Sequence, residues 1–286
     1  MNKRKYIRNF GLIGLAVAAL CLIYGFFIEP KTLAVRHVTV KSAAWQGAPL
    51  KIALIADIHI GGKHVSAARV ERLTAKINAE SPDIILLAGD YVNGHLPRHK
   101  HSDEFNTTIE QGVGYLGALD APLGTYAVMG NHDAWYDNET LSQWIETANI
   151  TILENQNRDI MHKGRTFCLA GLSDYDTGTD DRTGVTTCAD GQSRLVFMHS
   201  PDSLKLLPSG IALALAGHTH GGQINIPFLG RRVTATKIGH KYAYGLKQYG
   251  KFPVFITAGV GTSVLSARFR APPEIVIITL TAEKPE

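Results

Sequence analysis

Five short polar motifs, each at the end of an aliphatic run, constrain this chain more than any other feature. They are Asp57-Ile58-His59, Gly89-Asp90, Gly130-Asn131-His132-Asp133, Met198-His199 and Gly217-His218-Thr219-His220. The runs before them (51–56, 84–88, 125–129, 194–198 and 211–216) are rich in β-branched and aliphatic residues, the pattern of buried strands. A polar group at the end of each buried strand lies where side chains from several strands converge. Carboxylates, an amide oxygen and several imidazoles suit hard or borderline divalent cations such as Mn²⁺, Fe²⁺ and Zn²⁺. Two such ions side by side suit chemistry on phosphate.

Strands and helices alternate in the first half. Helices are expected at 66–80, where Ser66 can cap and Val70, Leu73 and Ile77 share a face, at about 107–119, and at 139–148. An edge strand is expected at 33–40 and a further strand near Ile152. The second half reads as short apolar strands at 166–172, 194–198, 211–216, 254–258 and 275–280, separated by turn-rich loops. This order predicts an α/β fold, a four-layer α/β/β/α sandwich of two facing mixed sheets with helices outside. A chain of 286 residues, 45% of them hydrophobic, can build one such core.

The N-terminus reads as a membrane signal. Residues 10–28 carry no charge and are about as long as a hydrocarbon core is thick. Lys3, Arg4, Lys5 and Arg8 precede the span, which predicts a cytoplasmic start and a main domain on the outer side of the cytoplasmic (inner) membrane. Lys31, Arg36 and Lys41 follow it and weaken that bias. No small-x-small cleavage site stands out, so an uncleaved single-pass anchor is expected over a removed signal peptide. The stretch from Asn2 to Arg8 also resembles a twin-arginine export signal with Lys in place of the first Arg. The expected division is a basic cytoplasmic segment 1–9, a transmembrane helix 10–28, a linker with edge strand 29–48 and a catalytic domain 49–286. Six of the 29 basic and one of the 25 acidic residues lie before residue 37, which leaves 23 and 24 for the rest. That near-neutral remainder excludes general nucleic-acid binding.

Taken together and in order, the motifs resemble those of the calcineurin-like metallophosphoesterase family. The Gly-His-Thr-His-Gly-Gly-Gln run from Gly217 and the Gly-Val-Gly-Thr-Ser run from Gly259 further resemble its membrane-associated bacterial branch. The resemblance implies the metallophosphatase fold and two divalent metal ions (Mn, Fe or Zn). One ion would be held by Asp57, His59, Asp90 and His220, the other by Asp90, Asn131, His199 and His218, with Asp90 bridging. It implies a hydrolase of phosphate esters, of the phosphodiesterase kind, with in-line attack by a hydroxide bridging the metals. His132 would be the catalytic histidine and Asp133 its orienting partner. A membrane anchor points to a lipid-linked phosphate substrate. Two alternatives stay open: a pyrophosphatase of a nucleotide-linked sugar-lipid precursor, and a metal-holding binding module without turnover.

Weaker features have two readings each. His95, Arg98, His99, Lys100 and His101 read as a solvated basic loop, with a phosphate-recognition lid as the alternative. Residues 174–190 read as a solvated acidic loop. Arg231, Arg232, Lys237 and Lys241 are either contacts to phosphate or lipid headgroups or ordinary surface charge. His64 has no evident role. Cys168 and Cys188 form a bridge in an oxidising compartment or remain two buried thiols.

Overall fold

The computed structural model describes residues 3–283. Met1 and Asn2 of the expected cytoplasmic segment, and 284–286 of the expected catalytic domain, lie outside the described residues. Helix α1 (Lys3–Ile23) continues through a π-type turn (Tyr24–Ile28) and a 3-10 turn (Glu29–Lys31). In chain order there follow β1 (Ala34–Ser42), β2 (Leu50–Ile55), α2 (Ala67–Ala79), β3 (Ile84–Ala88), α3 (Asp103–Leu116), β4 (Thr125–Val128) and α4 (Asn131–Thr147). Then come β5 (Thr151–Ile152), β6 (Gln156–His162), β7 (Arg165–Leu172), the one-turn α5 (Thr183–Thr186), β8 (Arg194–Met198) and β9 (Ile211–Ala216). A small hairpin of β10 (Asn225–Ile226) and β11 (Gly230–Arg231) precedes β12 (Gly245–Tyr249), β13 (Phe252–Ile256) and β14 (Glu274–Ala282).

Two six-stranded mixed sheets face each other, in the orders β1-β14-β2-β3-β4-β5 and β12-β13-β9-β8-β7-β6. Between the sheets, Ile52, Leu54, Leu86 and Val128 of the first share one core with Leu169, Leu195, Phe197 and Leu215 of the second. The outer face of the first sheet buries Ile55, Ile85 and Leu87 against Val70 and Leu73 of α2 and Ile109 and Val113 of α3. Strands covered on both faces lose polar alternation, which is why β3 (Ile-Ile-Leu-Leu-Ala) and β9 (Ile-Ala-Leu-Ala-Leu-Ala) read as continuous apolar runs. In both sheets the parallel strands that carry the motifs (β2, β3 and β4; β8 and β9) end on the same side, so all five motifs meet at one rim.

The sequence expectations differ from the structure in instructive places. Helix α4 starts at Asn131, inside the third motif, and is broken at Asp137, which is extended (φ −177°, ψ 88°). Only its part beyond the break matches the helix expected at 139–148. Ser66 stands at the N-cap of α2 but makes no side-chain capping bond, whereas Ser102 caps α3 by accepting from the Phe105 N–H. The antiparallel edge strands β6 and β12 are additions to the expected set; their exposed faces are polar and hide the strand pattern.

The outer layer of the second sheet is thin. It consists of α5, short 3-10 turns and loops packed on Ala170, Val196, Met198 and Ala214. There Cys168 of β7 and Cys188 beyond α5 form a disulfide, so of the two cysteine readings the bridge is the one found. It fastens a cover too small to hold itself by buried area. Replacing both cysteines by alanine is expected to lower unfolding stability by about 3 kcal/mol, the entropy of a loop of this length. Chemical denaturation checks this, and an unchanged midpoint would contradict it.

Candidate metal centre

Asp57, His59, Asp90, His218 and His220 all adopt left-handed backbone conformations, with φ of 52°, 51°, 58°, 68° and 50°. Side-chain-bearing residues rarely do so, and each such residue costs roughly 1–2 kcal/mol. The tight turns they make direct their side chains into the rim instead of along the strands. The turns pair with each other: the N–H groups of Asp57 and His59 donate to the carbonyls of Gly89 and Asp90. Gly130 and Gly217 permit the close approach, since a Cβ at either would collide with the Asp90 or the Asp57 carboxylate.

Around His199 the geometry is that of a cation site. Its Nδ1–H donates to the Ala88 carbonyl (2.8 Å), which leaves a lone pair on Nε2. That atom faces Asn131 Oδ1 at 3.2 Å, His218 Nδ1 at 3.1 Å and Asp90 Oδ2 at 3.3 Å. His218 Nε2 pairs with Asp176 Oδ2 (3.0 Å), so its Nδ1 also presents a lone pair. With neutral rings, four acceptors converge with no donor among them, a set that suits positive charge at its centre.

A second group adjoins it. His59 donates from Nδ1 to the Val92 carbonyl (3.2 Å) and turns Nε2 inward, 3.0 Å from His220 Nε2 and 3.5 Å from Asp90 Oδ2. His220 Nε2 lies 3.6 Å from Asp57 Oδ1. Asp90 therefore stands between the two groups. The structure thus brings together Asp57, His59, Asp90, Asn131, His199, His218 and His220, and all but His218 are buried. Their donor set fits two divalent cations sharing a carboxylate.

Electrostatics point the same way. Burial pushes the Asp57 carboxyl up to about 6. Burial would also raise Asp90, yet His199, His132 and His59 hold it well below the usual carboxylate range. Burial lowers His59 to about 3, and lowers His220 further below its ordinary value with help from His59 and Arg268. Both rings are therefore neutral, as metal ligands must be. His199 shifts the other way: burial opposes its charge, but Asp90, Asp57 and Asp174 raise it well above the usual imidazole range. The carboxylates thus demand positive charge at its Nε2, and a divalent cation meets that demand in place of a proton.

His132 also reaches the rim. It donates from Nδ1 to the Gly94 carbonyl (3.0 Å), and its Nε2 lies 3.3 Å from Ser263 Oγ and 4.0 Å from Asp90 Oδ2. Asp133 does not orient it, contrary to the expectation. The Asp133 carboxylate is fully buried and accepts four backbone N–H groups, from Asp90, Tyr91, Val92 and Gly130. Adjacent residues in a helical turn point about 100° apart, so Asp133 fixes the Asp90 loop while Gly94 orients His132.

Several residues at the site lie in loops that the sequence reads as solvated, His95 with a phosphate-recognition lid as its alternative. Asp176 and the buried Asp174 belong to the loop expected to be solvated, yet Asp176 meets His218. His95 stacks edge-on against His132 with centroids 4.5 Å apart, while Arg98 and His101 of the same loop bond and stack elsewhere, on Asp137 and Phe105. Arg268 is fully buried, donates to the carbonyls of Ala258, Gly261 and Ala271, and lies 3.5 Å from His220 Nδ1. Polar runs in loops carry no period, and only the tertiary contacts distinguish these residues. Of the later basic residues, Arg232 and Lys237 line the cavity above the site, which holds about 900 Å³. Arg231 donates to the Gly221 carbonyl and stacks on Tyr244, and Lys241 lies over Tyr242.

The calcineurin-like phosphoesterase family model matches residues 50–222. The chain is 28% identical over 294 residues to the uncharacterized metallophosphoesterase YkuE of Bacillus subtilis, covering 98% of each. It is 31% identical over 237 residues to the phosphodiesterase YaeI of Escherichia coli, covering 82% of this chain and 83% of that one. A Danio rerio protein named as a transmembrane protein with metallophosphoesterase domain is 24% identical over 289 residues, covering 94% of this chain and 62% of its own.

Metal loading should depend on pH through Asp57. Its folded pKa is raised, so the buried acid form competes with a cation below about pH 6. His59 stays neutral there and adds nothing. Calorimetric titration of the metal-free protein with Mn²⁺ is expected to show affinity that rises with pH, because the cation displaces the His199 proton, and that falls more steeply below about pH 6, where Asp57 also takes up a proton. Affinity that does not change with pH would contradict the assignment.

Proposed function

The chain belongs to the calcineurin-like phosphoesterase family, and on that premise we propose a membrane-anchored phosphodiesterase that uses two divalent cations on a lipid-linked phosphate ester. Hydrolysis of phosphate esters is the chemistry of the family. The observation that carries the finer reading is the convergence of Asp90, Asn131, His199 and His218 beside Asp57, His59 and His220. Asp57, His59, Asp90 and His220 would hold one cation, and Asp90, Asn131, His199 and His218 the other. When bound, the cations would supply Lewis acidity for phosphate oxygens and ease the loss of a proton from the water that attacks phosphorus.

The remaining steps belong to the chain's own residues. His132 is held by Gly94 with Nε2 toward the cavity and is neutral at rest because burial lowers its pKa. An arriving phosphate anion raises its proton affinity. The ring then takes a proton from solvent at Nε2 and gives it to the departing oxygen as the P–O bond breaks, which returns it to the neutral form. Ser263 keeps that nitrogen aimed. Arg232 and Lys237 on the cavity wall draw in the anionic ester.

The lipid-linked substrate is supported by the apolar mouth. Ile226, Val233, Val264 and Leu265 line the cavity, yet Val233 and Val264 are 84% and 92% exposed, and Phe228 at the adjacent hairpin tip is fully exposed. The loop that carries Val264 and Leu265 continues into a grip on the N-terminal helix. The Arg268 N–H donates to the Gly25 carbonyl, Phe269 packs edge-on against Tyr24, and the buried Glu29 carboxylate accepts the N–H groups of Arg270 and Ala271. Helix α1 exposes Leu12, Ile13, Val17 and Leu22, which point to different sides, as a helix embedded in lipid does. The cavity mouth is therefore tied to the span. The basic residues before that span favour a catalytic domain outside the cytoplasmic membrane, and the Cys168–Cys188 bridge suits an oxidising compartment.

Turnover of bis(p-nitrophenyl) phosphate by the metal-loaded full chain tests this reading. His132→Gln is expected to lower kcat by about 10²- to 10⁴-fold with metal content unchanged. Asp90→Ala is expected to lose both metal and activity, and full activity in that variant would overturn the bridging assignment.

A further inference from the structure

At the base of helix α1, away from the catalytic rim, lies a second cavity of about 550 Å³. Among the described residues, Lys31, Lys63, His64, Arg69, Arg72 and Lys76 line it, and no carboxylate does. Its walls are fixed. The Arg69 guanidinium is buried and donates to the carbonyls of Pro30, Thr32 and His64. Lys76 Nζ donates to the Leu33 carbonyl, and His64 Nε2 bonds the Ser266 carbonyl. Lys63 Nζ lies 5.4 Å from the centre of the Phe27 ring, on the last turn of the apolar segment. Lys63, Arg72 and Lys76 are otherwise exposed.

The positive charge is not compensated from within. Burial lowers the pKa of Arg69, and Arg72 lowers it further. Burial likewise lowers His64 against the pull of its Ser266 bond, and the neighbouring cations Lys63, Arg69 and Lys31 lower it further. A fold that gathers five Lys and Arg side chains around one opening without an acid has made an anion site. Its position selects the anion. Phe27 and Lys31 stand where the apolar helix ends, at the level of lipid headgroups for a helix that spans the bilayer. Basic residues beside a transmembrane helix attract anionic headgroups in just that layer.

We propose that this cavity binds the phosphate of an anionic phospholipid in the leaflet from which α1 emerges. The headgroup neutralises the cluster and seats the catalytic domain on the membrane surface. This rests on the membrane-spanning reading of α1 and is independent of catalysis, since the cavity shares no lining residue with the catalytic one.

The test uses the detergent-solubilised full chain, offered equal amounts of phosphatidylglycerol and phosphatidylcholine and examined by native mass spectrometry. Wild type is expected to retain phosphatidylglycerol preferentially. Lys63→Gln with Arg72→Gln should weaken that preference, roughly fivefold for each side chain removed. Neither residue holds the fold by a hydrogen bond, so bis(p-nitrophenyl) phosphate turnover should not change. The exposed pair Lys247→Gln with Lys251→Gln, on the β12–β13 hairpin and outside the cavity lining, should keep the preference. Equal retention of the two lipids by wild type, or equal loss in the two double variants, would overturn the site. Displacement of the lipid by millimolar inorganic phosphate would show a soluble-anion site and overturn the lipid assignment. Failure of wild type to float with phosphatidylcholine vesicles would instead overturn the anchor itself.

Discussion

The Asp90 carboxylate is buried among His59, His132 and His199, with Asp57 close by and two further imidazoles facing it. Lone pairs outnumber protons in this space. Charges so placed repel strongly in a low-dielectric interior, and Asp90 and Asp57 answer by raising the proton affinity of His199, whose Nε2 faces Asn131, Asp90 and His218. Positive charge must join them, and two divalent cations sharing Asp90 meet that need with the residue types already present. The hydrolysis of phosphate esters is the use the family makes of such a centre.

The rest of the fold resists that repulsion. Five left-handed residues give up roughly 1–2 kcal/mol each to aim their side chains at the rim. Their turns persist because neighbouring backbone is clamped. Asp133 takes four N–H groups of the Asp90 and Gly130 turns, and the Asp57 carboxylate accepts the N–H of His218. Beneath His220, Arg268 ties three loop carbonyls into one knot and places a fixed cation beside the site.

What is readable from the sequence follows from this division. Motif residues at the ends of apolar runs can be placed, because strand period and burial fix where a strand ends. The two facing sheets follow from the order of strands and helices. Asp133 misleads, because adjacency in sequence gives no direction in space, and its partners Asp90, Tyr91 and Val92 lie some forty residues earlier. Asp176 and His95 sit in irregular loops that carry no period. The grip of Glu29 on Arg270 and Ala271 joins residues more than 240 positions apart, which no local pattern can announce. That grip makes 29–32 a fixed joint where a linker is expected, and it couples the N-terminal helix to the loop that carries Val264 and Ser263 into the cavity mouth.

The donor groups on either side of the Asp90 carboxylate suit one cation each. Anomalous diffraction from crystals of the full chain soaked in Mn²⁺ measures this directly. The account predicts two peaks about 3.5–4 Å apart, one near Asp57, His59 and His220, the other near Asn131, His199 and His218. A single peak, or two that do not share Asp90, would contradict it.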